Sequence, residues 1–408
     1  MDIISLKEAQ DFNFNLPLPH LEVVRKNIYE VLGDILAFDI FCSRPLPAFD
    51  HSAMDGYALK ISDLDKKLKL KGRILAGEDT EGLEVSDGEC IKIMTGGKIP
   101  KGADVVVPFE DSMVLQDCFI QIQKHFKHNE NIRFQGEERA LGSVIAKRGD
   151  KLTHGLIALI ASQGIAEIEV YEKLKIAVYS TGDEVVEPGE KASQHQVYNI
   201  NAVGIISLLS VYGHHSKYLG ILNDSTQELH KAILNFEEYD VVITSGGASV
   251  GEADLLEKSL LSYGAKISYH KINLKPGRPI MLATLGKSII FALPGNPLSG
   301  MVNLHSIVLS ALERLRGANA YYPKPIIAKL KSPLHVKNGR VNMILGKYAE
   351  GIFEAYDGGK YSSNAISIVS QCNSVALIGE KISVVTGDIK ILPYVMEFSD
   401  KISEFINE

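Results

Sequence analysis

The sequence predicts a multidomain α/β protein. It has a doubly wound, mostly parallel α/β domain at 171–318, with residues 1–17 expected to pack nearby. A helical stalk at 18–45 and 139–170 brackets a β-rich lobe inserted at 46–138, and 319–408 forms a C-terminal β barrel. Three observations lead there. Apolar β-rich runs alternate with helix-period segments from about Leu174. Short β-like runs lie among Gly, Asp and Lys before residue 138, and short alternating strands broken by turns follow "YYPKPIIAKL".

In chain order, "HLEVVRKNIYEVLG" and "THGLIALIASQG" read as the helical parts of the stalk, and "ECIKIM" and "DVVVPF" as strands of the lobe. In the α/β domain the strands are "KIAVYS", "KYLGIL", "DVVITS", "KISYHKI", "PIMLATL" and "SIIFAL". The helices between them are "NAVGIISLLSVYG", "STQELHKAILNFEE" and "EADLLEKSLLSYG", with Ser225 and Glu228 placed as a capping box for the second. "LSGMVNLHSIVLSALERLRG" closes the unit. Pro323 and Pro325 mark the linker to the barrel, whose turns are "KNGR", "YDGGK" and "VTGD".

At 408 residues the chain is long enough for several buried cores. Its four cysteines are scattered with no Cys-x-x-Cys pair, which fits neither a disulfide framework nor a zinc knuckle. A reducing cytoplasm is the expectation, and the first residues lack the basic and apolar pattern of a secretory signal. No apolar run reaches membrane-spanning length. A net charge of −7 with both signs dispersed argues against nucleic-acid binding.

Five unusual loops follow strands of the α/β domain, at the carboxyl ends where open α/β sheets bind ligands. "SGGASVGEAD" offers Ser245, Gly246, Gly247, Ser249 and Gly251, whose backbone amides before a helix suit a phosphate, although a tight turn capped by Ser249 fits the loop alone. "KPGRP" presents Lys275 and Arg278 on a proline-stiffened turn, either a clamp for an anion or a solvated basic turn. "LPGNPLS" fixes Pro294, Gly295, Asn296, Pro297 and Ser299 in a rigid stretch. The acids Asp183, Glu184, Asp224 and Asp254 would repel a phosphate unless Mg²⁺ bridges them, although Asp224 alone also fits a helix cap, while Glu252 reads as solvated. Asp55 in "HSAMDGYAL" and Thr95 in "IMTGG" carry little signal by residue type alone. "LGKS" mimics the end of a P-loop, but Met281 stands where the first glycine is needed, so it reads as a hairpin turn. His125, His128, His214 and His215 form no zinc spacing.

Taken together, "HSAMDGYA", "IMTGGKIPKGADVVV", "STGDEVVEPG", "SGGASVGEAD", "KPGRP" and "LPGNPLS" occur in one order and resemble the MoeA family, to which the C-terminal domain of gephyrin also belongs. The resemblance spans nearly the whole chain and implies a MogA-like α/β domain. It implies that adenylylated molybdopterin and molybdate react, with Mg²⁺, to give molybdenum cofactor and AMP. An elongated homodimer is implied too, one subunit's lobe facing its partner's α/β domain, along with other cofactor-biosynthesis proteins and acceptor enzymes as partners. Carried onto this chain, the catalytic set is Asp55, Thr95, Glu184, Asp224 and Asp254, with Asp55, Glu184 and Asp254 as metal ligands. Ser245, Gly246, Gly247, Ser249, Gly251, Lys275, Arg278, Pro294, Gly295, Asn296, Pro297 and Ser299 would bind the substrate. Glu138, Asn199 and Arg278 depart from the family's usual Asp, Asp and Lys, which bears on the metal shell more than on the reaction. The rival readings are a MogA-like molybdopterin adenylyltransferase, against which the extra domains argue, and a silent gephyrin-like scaffold, which has no need of Asp55, Glu184 and Asp254.

Overall fold

The computed structural model describes residues 2–78, 80–247 and 255–394. The chain divides into two compact units, one of Met1–Ala37, Arg148–Leu152 and Ile168–Glu408, the other of Phe38–Lys147 and Thr153–Glu167.

In the first unit, helix α1 (Leu6–Phe14) starts at a capping box in which Ser5 and Glu8 satisfy each other's backbone amides. The main sheet follows with β1 (Ile176–Thr181), β2 (Ser216–Leu222), β3 (Val241–Ser245), β4 (Lys266–Tyr269), β5 (Met281–Leu285) and β6 (Ser288–Leu293). Their spatial order is β2-β1-β3-β6-β5-β4. The first four run parallel, and β5 is antiparallel to both its neighbours. The "LGKS" turn joins β5 to β6 as a hairpin, with Leu285 opposite Ser288.

Strand alternation sends side chains to two separate cores. Ile176, Val178, Val241 and Ile243 enter one, beneath α2 (Ile200–Val211) and the long helix that begins at Pro297. Ala9 of α1 joins this core. Ala177, Tyr179 and Val242 enter the other, beneath α3 (Thr226–Phe236) and α4 (Leu255–Ser262). The long helix comprises α5 (Pro297–Asn303), a π-helical turn over Leu304–Val308, and α6 (Leu309–Leu315).

A closed five-stranded barrel follows. Its strands are β7 (Ile326–Leu330), β8 (Val341–Ala349), β9 (Ile352–Ala355), β10 (Ser374–Ile378) and β11 (Asp388–Pro393). They are ordered β8-β9-β7-β11-β10 and close by pairing β10 with β8. Barrel and α/β domain are stitched together because Leu274 and Lys275 pair in parallel with Val341 and Asn342 of β8.

The second unit is built on a six-stranded sheet of Val105–Pro108, Gly56–Leu59, Glu89–Ile93, Lys67–Ile74, Phe119–Ile122 and Ser112–Val114, in that order. Both faces are covered: Leu59, Leu68 and Ile120 pack on one, Ala58, Ile74 and Ile93 on the other.

Two local expectations fail. The stretch "HLEVVRKNIYEVLG" is not helical: Val23–Asn27 is a strand, and Ile28–Glu30 a single 3₁₀ turn opened by the Asn27 side chain, which accepts from Tyr29 N–H. The β-branched Val23 and Val24 favour extension, and pairing with the strand that ends at Tyr171 supplies the backbone partners a helix would have made internally. The other stalk segment does contain a helix, His154–Ala161, with Thr153 as its N-cap. Ser225 stands at the N-cap of α3 but makes no side-chain cap, and Glu228 reaches instead to Asn223 N–H at 3.4 Å. A tight turn, closed by Ser225 N–H on Asn223 O at 2.7 Å, turns that upstream amide toward Glu228.

Candidate functional site

β4 runs parallel to β6 because each is antiparallel to β5, so the five loops read from the sequence all leave the same edge of the sheet. At that edge lies a cleft of about 550 Å³, lined by Ser180, Thr181, Glu184, Asn199, Ser245 and Pro294–Pro297. Its base is backbone. Gly246 N–H donates to Leu293 O at 2.9 Å, and Thr181 Oγ1 donates to Ser245 O at 3.3 Å. Gly246 has φ +100° and packs so closely that a Cβ would overlap Thr181 Oγ1, so both conformation and space demand glycine here.

The proline loop abuts the glycine loop, since a Cβ on Gly295 would stand 3.7 Å from Gly246 Cα. Asn201, in the first turn of α2, holds it by donating Nδ2–H to Gly295 O at 2.7 Å. Pro297 begins α5, where its missing N–H costs nothing. Asn296 precedes it without capping, and its amide donates to Ser363 Oγ at 3.0 Å. Ser299 is buried within α5 and does not line the cleft.

A second cleft of about 690 Å³ adjoins the first, Arg278 and Ser363 lining it while their neighbours Pro279 and Asn364 line the other. Lys275 and Arg278 lie along this second cleft rather than the first, and the barrel adds His335, Lys337, Arg340 and Lys360. Sequence reasoning missed those four. "KNGR" reads only as a turn, and no local pattern says that the pairing of Leu274–Lys275 with β8 draws it to the "KPGRP" loop.

Acids gather at the opposite side of the sheet edge. Asp224 N–H donates to Asp183 Oδ1 at 2.9 Å. Burial pushes the Asp224 carboxyl above its ordinary value, and the charges of Asp183 and Glu184 push it further. Among the described residues no Lys or Arg pairs with these three acids, and no group of three or more metal-ligating side chains is preformed. Such uncompensated oxygen donors suit Mg²⁺, which takes one or two carboxylates and completes its shell with water and phosphate oxygens.

Asp55 lies in the second unit, just before the strand Gly56–Leu59. Its Oδ1 accepts from Thr95 N–H at 2.7 Å and from the Thr95 hydroxyl at 2.8 Å. The amide first and the hydroxyl second hold this carboxyl below the usual range, so it is an oriented anion at neutral pH. Of the expected metal ligands, Asp55 thus sits in one unit and Glu184 in the other. Asp254, together with Ser249, Gly251 and Glu252, lies outside the described residues.

A multidomain α/β protein with an anion-suited cleft at the carboxyl ends of its strands is the class that fold and site define. Comparison with known proteins narrows it. A family model described as the MoeA N-terminal region (domain I and II) matches residues 4–164, and one described as a probable molybdopterin binding domain matches residues 177–314. The molybdopterin molybdenumtransferase of Haemophilus influenzae is 34% identical over 374 residues, covering 90% of this chain and 92% of the relative. That of Staphylococcus epidermidis is 30% identical over 387 residues, covering 92% and 91%. A molybdopterin biosynthesis MoeA protein structure from Pyrococcus horikoshii superposes with a TM-score of 0.81 at 24% identity, over 96% of this chain and all of that one, and so shares the fold. The chain belongs to the MoeA family. Among the described residues no helix is long and apolar enough to cross a membrane.

Proposed function

We propose that this chain is a molybdopterin molybdenumtransferase, an enzyme of molybdenum cofactor biosynthesis that combines molybdate with adenylylated molybdopterin and releases molybdenum cofactor and AMP. The observation that carries this is the pair of adjoining clefts of different character: one floored by glycine and proline backbone and flanked by acids, the other lined by cations. Two anionic substrates that must meet need two such subsites.

Molybdate, a tetrahedral dianion, fits the basic cleft, where Lys275 supplies a point charge and Arg278 and Arg340 supply forked N–H donors. Adenylylated molybdopterin lies along the sheet-edge cleft, its phosphates approaching the backbone at Ser245, Gly246 and Gly247. Pro294, Gly295, Asn296 and Pro297 form a rigid wall that fixes its orientation and excludes water. When bound, Mg²⁺ neutralises phosphate charge. Glu184 and Asp224 would hold it in this unit, with Asp254 a further ligand. Asp55, kept ionised by Thr95, joins the site from the partner subunit of a homodimer.

The test mixes the purified protein with adenylylated molybdopterin, Mg²⁺ and molybdate, and follows AMP. Molybdate-dependent AMP release is expected. Release of AMP without molybdate marks simple hydrolysis of the adenylylated substrate, and no release at all moves the assignment toward an adenylyltransferase or a scaffold; either result overturns it. Sedimentation of the intact chain as a monomer at micromolar concentration would remove Asp55 from the site.

A further inference from the structure

Asn199 is the point at which four elements of the α/β domain converge. It is the N-cap of α2 and only 2% exposed. Its Oδ1 accepts from Ser180 Oγ–H at 2.7 Å, at the end of β1, and from Ala202 N–H at 3.2 Å. Its Nδ2 donates to the Tyr218 hydroxyl of β2 at 2.7 Å and to the Glu187 carboxylate at 3.3 and 3.4 Å. Tyr218 spends its own proton on Glu187 Oε1. Both acceptor positions and both donor positions of the amide are therefore filled, and exchanging its O and N would set acceptor against acceptor. Two residues further on, Asn201 grips Gly295 O, so the direction in which Asn199 starts α2 also sets the position of the proline wall.

We propose that Asn199 is a positioning residue for ligand binding in the sheet-edge cleft, and that it must be an amide because the Glu187 carboxylate faces it. The inference rests on reading that cleft as the adenylylated molybdopterin site. A carboxylate in place of this amide keeps the helix cap but stands against Glu187 with no proton between them, since Tyr218 has only one to give. Loss of that contact releases the loop carrying Glu187 and swings the first turn of α2, and with it Asn201.

The decisive set is Asn199→Asp, the inverted pair Asn199→Asp with Glu187→Gln, and Tyr218→Phe, each in the intact chain. For Asn199→Asp the KM for adenylylated molybdopterin rises about tenfold while kcat stays within about twofold. The inverted pair exchanges the two roles, so that the amide introduced by Glu187→Gln donates to the carboxylate introduced by Asn199→Asp, and KM returns to within about threefold of the starting protein. Amide hydrogen exchange across 199–203 and at Gly295 and Asn296 speeds up in Asn199→Asp and slows again in the pair. Tyr218→Phe, which keeps the charge pattern but removes one partner of the amide, raises KM about threefold even if the Asn199→Asp variant does not fold. An unchanged KM in Tyr218→Phe, or an inverted pair no better than Asn199→Asp, overturns the proposal. If the unaltered protein turns over no adenylylated molybdopterin, it is the substrate assignment that fails, and the exchange comparison still decides whether Asn199 positions these loops.

Discussion

Removing one charge from the acidic corner should stabilise the metal-free protein while abolishing its turnover. Asp224 sits beside Asp183 and Glu184, and its carboxyl is raised by burial and then by those two charges. Asp224→Asn keeps the shape and the backbone bond to Asp183 while deleting the repulsion. The group is mostly exposed, so the like-charge penalty is that of a screened surface pair, about 0.2–1 kcal/mol. For a domain of this size that corresponds to a rise in Tm of roughly 1–3 °C at pH 7 in EDTA. The sign with pH is fixed by linkage: a raised carboxyl pKa means that the folded state binds the proton more tightly than the unfolded one. The wild-type deficit therefore opens as pH rises from the unfolded value of about 4 toward the higher folded value, is complete above the folded value, and fades only well below about pH 4, where Asp224 is protonated in both states. Thermal melts of both proteins between pH 3.5 and 7.5, with and without Mg²⁺, measure this. Mg²⁺ should raise the wild-type Tm at pH 7 and leave the variant nearly unmoved. A variant less stable than wild type at pH 7 without metal, or a gap indifferent to pH, would refute the idea of an uncompensated acidic corner.

Three further outcomes are expected. Arg340→Ala should raise the KM for molybdate about tenfold or more, the loss of one charge-assisted hydrogen bond, with Tm shifted by less than about 2 °C, as judged from AMP release against molybdate concentration. Thr95→Val removes the hydroxyl that bonds Asp55 but leaves the backbone N–H, so carboxyl titration by NMR should move Asp55 only part of the way back to its ordinary value. Burial pushes His305 down to about 4, so the stability gained by keeping it neutral is full above pH 6.5 and is lost as pH falls through that window to about 4. Urea unfolding of His305→Gln should accordingly lose less stability between pH 7 and pH 5 than the parent does; equal losses would show that another group governs the acid limb.

The α/β domain was legible because its signals are local. Alternating apolar positions such as Ile176 and Val178 against Ala177 and Tyr179 must face opposite sides of a strand, and covering both sides requires helices on each. Once the strands run parallel, their carboxyl ends share an edge, and the loops with Gly246, Arg278 and Pro294 follow from chain order. The segment with Val23 and Val24 was misread because its helical spacing and its β-branched side chains point in different directions, and a distant strand decided between them. At Ser225 the side chain had the right identity, but the neighbouring turn redirected its partner.

By itself, the sequence determined the fold class, the order of elements in the α/β domain and the kinds of group available to the site, since these depend on periodicity and residue chemistry within a few positions. Only the tertiary structure decided who meets whom. Arg340 comes to line one cleft with Arg278 because the next residues pair with Leu274 and Lys275, Asn296 turns to Ser363, and Asn199 finds Tyr218 and Glu187. These encounters are set by the packing of a barrel on a sheet and of a helix on two strands, and a chain read one window at a time carries no record of such distances.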